Sequence, residues 1–393
     1  MSRNEPGEIR KDFIPLSVPY INGNEWKYLK ECLQTNWVSS AGPFVEKFEE
    51  EIARYTNSKF AVSTINGTSA LHIALKLIGV KEGDEVIVSD LTFVAPANAV
   101  KYLGAYPVFI DADKEYGQMD VEKLENFLKK DCILKKDGLY NKHTKRKIKA
   151  IIPVHILGGL CEMEAIMDLA HKFDLKILED ATEALGAKYK NKMAGIFGNV
   201  GVLSFNGNKI ITTGAGGMII TNDKKIAEKA RYLTTQAKDD PIEYIHNEIG
   251  YNYRMPNLLA AFGVAQLEKI NEFIEKKRKI AKVYNEAFSN LEFIKIPKEA
   301  PNTFNTFWLY TIKIEKNNKI DRFYLMKELE KRKIQTRPLW QPMHLLKIFK
   351  DCFSSDCKNA KKWKKSALSL PCSVSLKEKE QAFVIKNIIK LSQ

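Results

Sequence analysis

No stretch of this chain is apolar over the length a bilayer-spanning helix needs. The nearest approach, Ile148 to Leu160, is short and interrupted by Lys149, Pro153 and His155. Cysteine is scarce and scattered. Cys32, Cys132, Cys161, Cys352, Cys357 and Cys372 contain no C-x-x-C pair, and the one close pair, Cys352 and Cys357, lacks the second pair a zinc site requires. That pattern argues against a disulfide framework and for free thiols in a reducing compartment, so no bound metal is expected. The first residues, Met1 to Phe13, are charged and lack the apolar core of a secretory signal. Low-complexity tracts and internal repeats are also missing. The expected setting is the cytoplasm, with no membrane partner.

Acidic residues are outnumbered, 48 Asp and Glu against 62 Lys and Arg, for a formal charge of +14. A nucleic-acid binder could share that balance. However, the densest basic run, Lys142 to Lys149, has no helical phase and no interleaved aromatics. Elsewhere basic residues stand beside acids, as in Glu275-Lys276-Lys277-Arg278, which reads as a solvated face. No nucleic-acid partner is expected, although a positive field favours anionic metabolites such as nucleotide diphosphates.

At 393 residues the chain is too long for one compact core. From about Val45 to Thr221, short apolar runs alternate with helical spacers. The runs are Phe60 to Ser63, Glu85 to Val88, Pro107 to Asp111, Lys149 to Val154 and Lys176 to Asp180. Such runs predict a mostly parallel sheet buried on both faces, whose ligands collect at the strands' carboxyl ends. Between Leu134 and Lys147 the alternation lapses into basic, turn-rich sequence, read as a surface excursion. After about Met255 the pattern predicts a long helix from Pro256 through Phe288. A strand at Phe307 to Ile312 follows, then helices over Ile320 to Lys331 and Lys377 to Ile389. The expected division is an N-terminal segment (1–35), a large α/β domain (36–250) and a smaller α+β domain (251–393).

Four features carry chemistry together. Asn66-Gly67-Thr68-Ser69 opens a helix, where free N–H groups and hydroxyls can cradle a phosphate. The plainer alternative is a helix cap. Phe93, in the loop after the run Val86 to Val88, can stack on a flat ring, or can simply be core. Asp180 ends an apolar run, where a carboxylate can pair with a protonated ring nitrogen, or can cap the next helix. Lys209 sits in Ser204-Phe205-Asn206-Gly207-Asn208-Lys209, ahead of a glycine-rich turn. Its amine can bond to an aldehyde and later act as a base, and without such flanks it would be one more surface lysine.

The order of these features is that of the large pyridoxal-phosphate (PLP) fold shared by aspartate aminotransferase. The chain resembles the DegT/DnrJ-type nucleotide-sugar aminotransferases over nearly its whole length. The stretches that carry the likeness are Asn36 to Gly42, Asn66 to Leu71, Glu179 to Gly186, Ser204 to Lys209 and Gly250 to Met255. The segment Asn141 to Thr144 and the run Thr336 to His344 are similar to the branch serving legionaminic acid and related amino-sugar pathways.

The resemblance implies a PLP cofactor, with Gly67, Thr68 and Ser204 on its phosphate and Phe93 on its ring. Asp180 would meet the ring nitrogen, Glu183 the ring hydroxyl, and Lys209 would hold the aldehyde. Many relatives carry Gln where this chain has Glu183. Asn252 is implied to reach the cofactor phosphate of a neighbouring subunit, hence a homodimer. Trp37, Ser39, Arg254, Arg337 and His344 would line a nucleotide-sugar pocket. The implied reaction moves an amino group from an amino acid, glutamate by expectation, to a UDP- or GDP-linked 4-keto-6-deoxy sugar. Two rivals remain: a dehydratase on the same cofactor, whose relatives carry His in place of the lysine, and a cofactor-binding regulatory protein without turnover.

Overall fold

A computed structural model describes residues 13–240, 242–315 and 320–392. All but Phe13 of the charged stretch Met1 to Phe13 lies outside the described residues. Eleven strands build the first part of the chain: β1 (Phe60–Thr64), β2 (Glu85–Ser89), β3 (Tyr106–Ile110), β4 (Cys132–Lys135), β5 (Gly138–Asn141), β6 (Lys147–Ile152), β7 (Lys176–Asp180), β8 (Lys188–Tyr189), β9 (Lys192–Met193), β10 (Val200–Ser204) and β11 (Gly217–Thr221). The main sheet has nine strands in the order β1-β11-β10-β7-β6-β2-β3, with β5 and then β4 branching from β6. Pairing is parallel from β10 through β7, β6 and β2 to β3, and antiparallel at β11. It is thus mixed and mostly parallel, as the short apolar runs imply. Val86, Ile87, Val88, Ile151, Ile152 and Leu178 are fully covered, because helices close both faces.

The run 134–147 departs from expectation. It is a β4–β5 hairpin, and β5 joins β6 through Leu139 and Tyr140 opposite Ile148 and Lys147. Lys135 pairs with Gly138, so the basic turn residues sit at a hairpin tip, and buried Cys132 and Leu139 anchor it. Only these few apolar positions betray the pairing; the lysines between them mask it.

The second sheet comprises β12 (Ile294–Lys295), β14 (Tyr310–Ile314), β15 (Arg337–Pro338) and β16 (Ala367–Leu370), while β13 (Thr303–Phe304) reaches back to pair with β8. The strand expected at Phe307 begins instead at Tyr310, which frees Trp308 from sheet geometry. The long helix breaks at Glu268-Lys269 into Asn257–Leu267 and Ile270–Phe288. The first piece packs on the helix Pro43–Thr56 beside the main sheet. The second begins in that core, with Phe273 and Ile274, and ends in the core of the small sheet, with Tyr284 and Phe288. No helix among the described residues is long and apolar enough to cross a membrane.

Candidate active site

A cavity of about 450 Å³ opens where the main sheet's strands deliver their carboxyl ends. One wall is the N-terminus of the helix Gly67–Leu77. Asn66 is its N-cap, its side chain accepting from the Ser69 N–H at 2.8 Å, while the N–H groups of Gly67 and Thr68 have no backbone acceptor among the described residues. Gly67 lies against the end of β10. A Cβ there would come 3.0 Å from Ser204 Cβ, so a larger residue would crowd the cradle. Free N–H groups at a positive helix end, beside the Ser204 hydroxyl, suit a phosphate dianion.

The opposite wall carries charge. Asp180 ends β7, 2% exposed, and one carboxylate oxygen accepts from the Thr182 N–H at 3.1 Å. Burial pushes its proton affinity up, with Thr182 and the Lys209 charge opposing. Behind it the buried Glu179 carboxylate accepts from the N–H groups of Gly195, Phe197 and Gly198 at 2.9, 2.5 and 2.7 Å, and meets His155 Nε2 at 3.1 Å. That network holds the strand end rigid.

Lys209 Nζ lies 3.7 Å from Glu183 Oε1 and 4.2 Å from the centre of the Trp308 ring. Burial lowers the Lys209 ammonium from its ordinary value, against the Glu183 and Asp180 charges, and raises Glu183 to about 7. The loop holding Lys209 is tied at both ends: Lys209 N–H donates to Asn206 O and Phe205 N–H to Gly216 O, both at 2.9 Å. Gly216 has φ +143°, and a Cβ there would strike Thr213 Oγ1 at 2.4 Å, so only glycine closes this turn.

Of the residues singled out in the sequence, Gly67, Thr68, Phe93, Asp180, Glu183, Ser204 and Lys209 line this one cavity. Phe93 is half exposed, with its face available. Asn252, Trp37, Ser39, Arg254, Arg337 and His344 are not among its lining residues. Asn252 is exposed and bridges Thr235 through its backbone. Trp37 and Ser39 use carbonyls to accept from Asn257, at 2.8 and 2.6 Å. Arg254 donates to Glu49 at 2.8 Å in a partly buried ion pair. Arg337 is exposed, and His344 Nδ1 sits 2.7 Å from Asp90. Sequence reasoning missed Trp308 and Trp340, two lining residues from the C-terminal part of the chain. The Trp308 indole N–H donates to Asn208 O at 2.6 Å. Its only signal was being one of five tryptophans.

The residues fit PLP: a small-residue helix N-terminus for a phosphate, a buried carboxylate whose burial a ring cation would relieve, a covered lysine and an open aromatic face. The chain is 37% identical to "GDP-perosamine synthase" of Escherichia coli O157:H7 over 96% of this chain and 98% of that one. It is also 37% identical to "Putative pyridoxal phosphate-dependent aminotransferase EpsN" of Bacillus subtilis, over 96% of this chain and 95% of that one. A DegT DnrJ EryC1 StrS aminotransferase from Brucella abortus superposes with a TM-score of 0.85 at 28% identity, covering 94% of this chain and 95% of its own. Fold, cavity and likenesses together define a PLP-dependent aminotransferase. Residues 19–389 match the DegT/DnrJ/EryC1/StrS aminotransferase family, and the chain belongs to it.

Proposed function

We propose that this enzyme transfers an amino group from glutamate to the ketone of a nucleotide-linked 4-keto-6-deoxy sugar, giving a 4-amino sugar. The observation that carries this reading is the covered Lys209 amine, flanked by Glu183 and Asp180 in a cavity walled by a helix N-terminus. The sugar class rests on the likeness to GDP-perosamine synthase, which makes a GDP-linked substrate the first to test and a UDP-linked one the second.

The bound cofactor supplies an aldehyde that condenses with primary amines and a ring that takes up electron density. The chain's own residues do the rest. Gly67, Thr68 and Ser204 would bind the phosphate, and Phe93 would cover the ring. Asp180 would keep a proton on the ring nitrogen, and Glu183 would serve the ring hydroxyl. Lys209 would hold the aldehyde. Its amine, when free, would move a proton at the donor's α-carbon.

Trp37, Ser39, Arg254, Arg337 and His344 remain proposed for nucleotide-sugar recognition, in a part of the site outside the cofactor cavity. Large exposed side chains, Trp26, Trp37, Ile242, Tyr244 and Ile249, support a homodimer in which Asn252 serves the neighbouring subunit. Six free thiols suit a cytoplasmic setting, and the 4-amino sugar would feed surface-glycan synthesis, a legionaminic-acid type pathway being the branch to test. Borohydride reduction of the loaded enzyme followed by peptide mapping is expected to label Lys209; a label elsewhere, or none, removes the reading. A panel of GDP- and UDP-4-keto-6-deoxy sugars with glutamate then assigns the acceptor.

A further inference from the structure

Lys209 faces unlike neighbours. Glu183 Oε1 lies 3.7 Å from Nζ, too far for a hydrogen bond but well inside the range over which a charge changes a neighbour's protonation. The Trp308 ring, 4.2 Å away, also favours a cation. Asp180 adds its charge from the end of β7, and His155 acts on Asp180 in turn.

Glu183 is held in place from behind. Its other oxygen, Oε2, accepts from the Leu157 N–H at 3.0 Å. Leu157 takes φ +60°, a conformation an aliphatic residue avoids unless its surroundings impose it. The cause is next along the chain: Gly158, at φ +89°, is pressed so closely on residues 306–308 that a Cβ would meet Thr306 Oγ1 and Trp308 N at 2.6 Å. Its carbonyl accepts from the Thr306 N–H at 3.0 Å. One wedged turn therefore orients Glu183 and supports Trp308, on two sides of the same amine. An amide at 183 could accept the same N–H in the same volume. Only a carboxyl group can also carry a charge or a proton.

We propose that Glu183 sets how tightly Lys209 holds a proton, the charge on either side chain governing the protonation of the other. With the amine protonated, the pair is ammonium and carboxylate; with the proton on Glu183, it is amine and carboxylic acid. Neither arrangement leaves a net charge on the pair. Burial supports this by drawing the two groups together in proton affinity, lowering Lys209 and raising Glu183 to about 7. The consequence is a stronger base than a buried lysine would otherwise be. The inference rests on Lys209 being the amine that moves the donor's α-proton, as proposed above. Glu183 is a positioning residue that acts through Lys209.

The test has two readouts of opposite sign, on the native chain and on Glu183→Gln. In cofactor-free protein, Lys209 is labelled competitively with acetic anhydride across a pH series and quantified by peptide mapping. Loss of the carboxylate is expected to leave the amine less protonated, so that Lys209 in the variant labels roughly tenfold faster near neutral pH. In the loaded enzyme, the half-reaction with glutamate is expected to slow and its acid limb to move to lower pH. A purely structural role slows both readouts or leaves both unchanged, and either result overturns the proposal. Glu183→Asp, which keeps the charge, is expected to return the labelling profile most of the way. A profile matching that of the Gln variant would also overturn it. If borohydride labels a different lysine, the anchoring role of Lys209 fails, while the cofactor-free labelling still decides whether residue 183 governs the protonation of residue 209.

Discussion

Two buried carboxylates of this protein are treated in opposite ways. Glu49 accepts from the Ser63 N–H and hydroxyl at 2.8 Å each, from Arg231 at 2.7 Å and from Arg254 at 2.8 Å. Glu183 has one N–H donor at 3.0 Å and a lysine beyond hydrogen-bond reach. The first is saturated and neutralised, and it locks the helix Pro43–Thr56 to β1 and to the segment around Arg254. The second is left short of partners, so its charge depends on whatever enters the cavity. Buried groups with full hydrogen bonding specify structure, and those left incomplete are available for chemistry.

The contrast breaks most visibly at the lysine. Lys209→Ala is expected to lower amino-group transfer by roughly 10³-fold or more, measured as conversion of the cofactor by glutamate, with an unchanged melting transition. Asp180→Asn keeps the shape and removes the charge. It is expected to cost about 10²-fold in the same half-reaction, and a variant at native rate would show that the ring nitrogen does not rely on it. Glu49→Ala should do the reverse. Stranding Arg254 and Arg231 is expected to destabilise by about 3 kcal/mol, the exposed side of Arg231 softening the loss, as read from denaturant melts.

A fourth, smaller effect sharpens the comparison through pH. In the folded chain Glu183 holds its proton up to about 7, whereas its ordinary value is 4.5. A raised acid stabilises the fold fully below the unfolded value, and that contribution is lost as pH rises through the folded one. Cofactor-free native protein should therefore lose more stability than Glu183→Gln between pH 4.5 and 7 in paired thermal melts. Parallel curves would place the carboxyl in contact with solvent. The smallest change is expected at Ser39, which uses only its carbonyl on Asn257. Ser39→Ala should alter stability by no more than about 0.5 kcal/mol, so any rise in KM for the sugar would report a contact of its hydroxyl.

Local pattern carried much of the architecture. The five apolar runs from Phe60 to Asp180 all lie on strands of the main sheet, their ends shifted by a residue or two, because a strand buried on both faces must be apolar throughout. The hairpin at 132–141 escaped because its apolar anchors are few and its turn is basic. The break at Glu268-Lys269 escaped because both pieces keep helical spacing, and only their packing on different cores separates them.

Asn66 to Ser69, Asp180 and Lys209 were legible for a further reason: small or polar residues where an apolar run ends, a helix starts or a glycine-rich turn follows stand out from their surroundings. Trp308 and Trp340 did not, since a tryptophan in sequence looks the same whether it fills a core or walls a cavity. Arg254 was equally opaque. The carboxylate its guanidinium meets, Glu49, is distant in sequence.

What the order of residues determined by itself was the apolar strand segments, the helix N-terminus that faces the cavity, and the chemical types of the groups around it, since each depends on near neighbours along the chain. Tertiary structure alone decided which charges meet. It paired Arg254 with Glu49, forced Leu157 into a left-handed turn beneath Trp308, and set a carboxyl group 3.7 Å from Lys209. The physical reason is that burial and distance govern proton affinity, and neither exists until segments far apart in the chain are packed together.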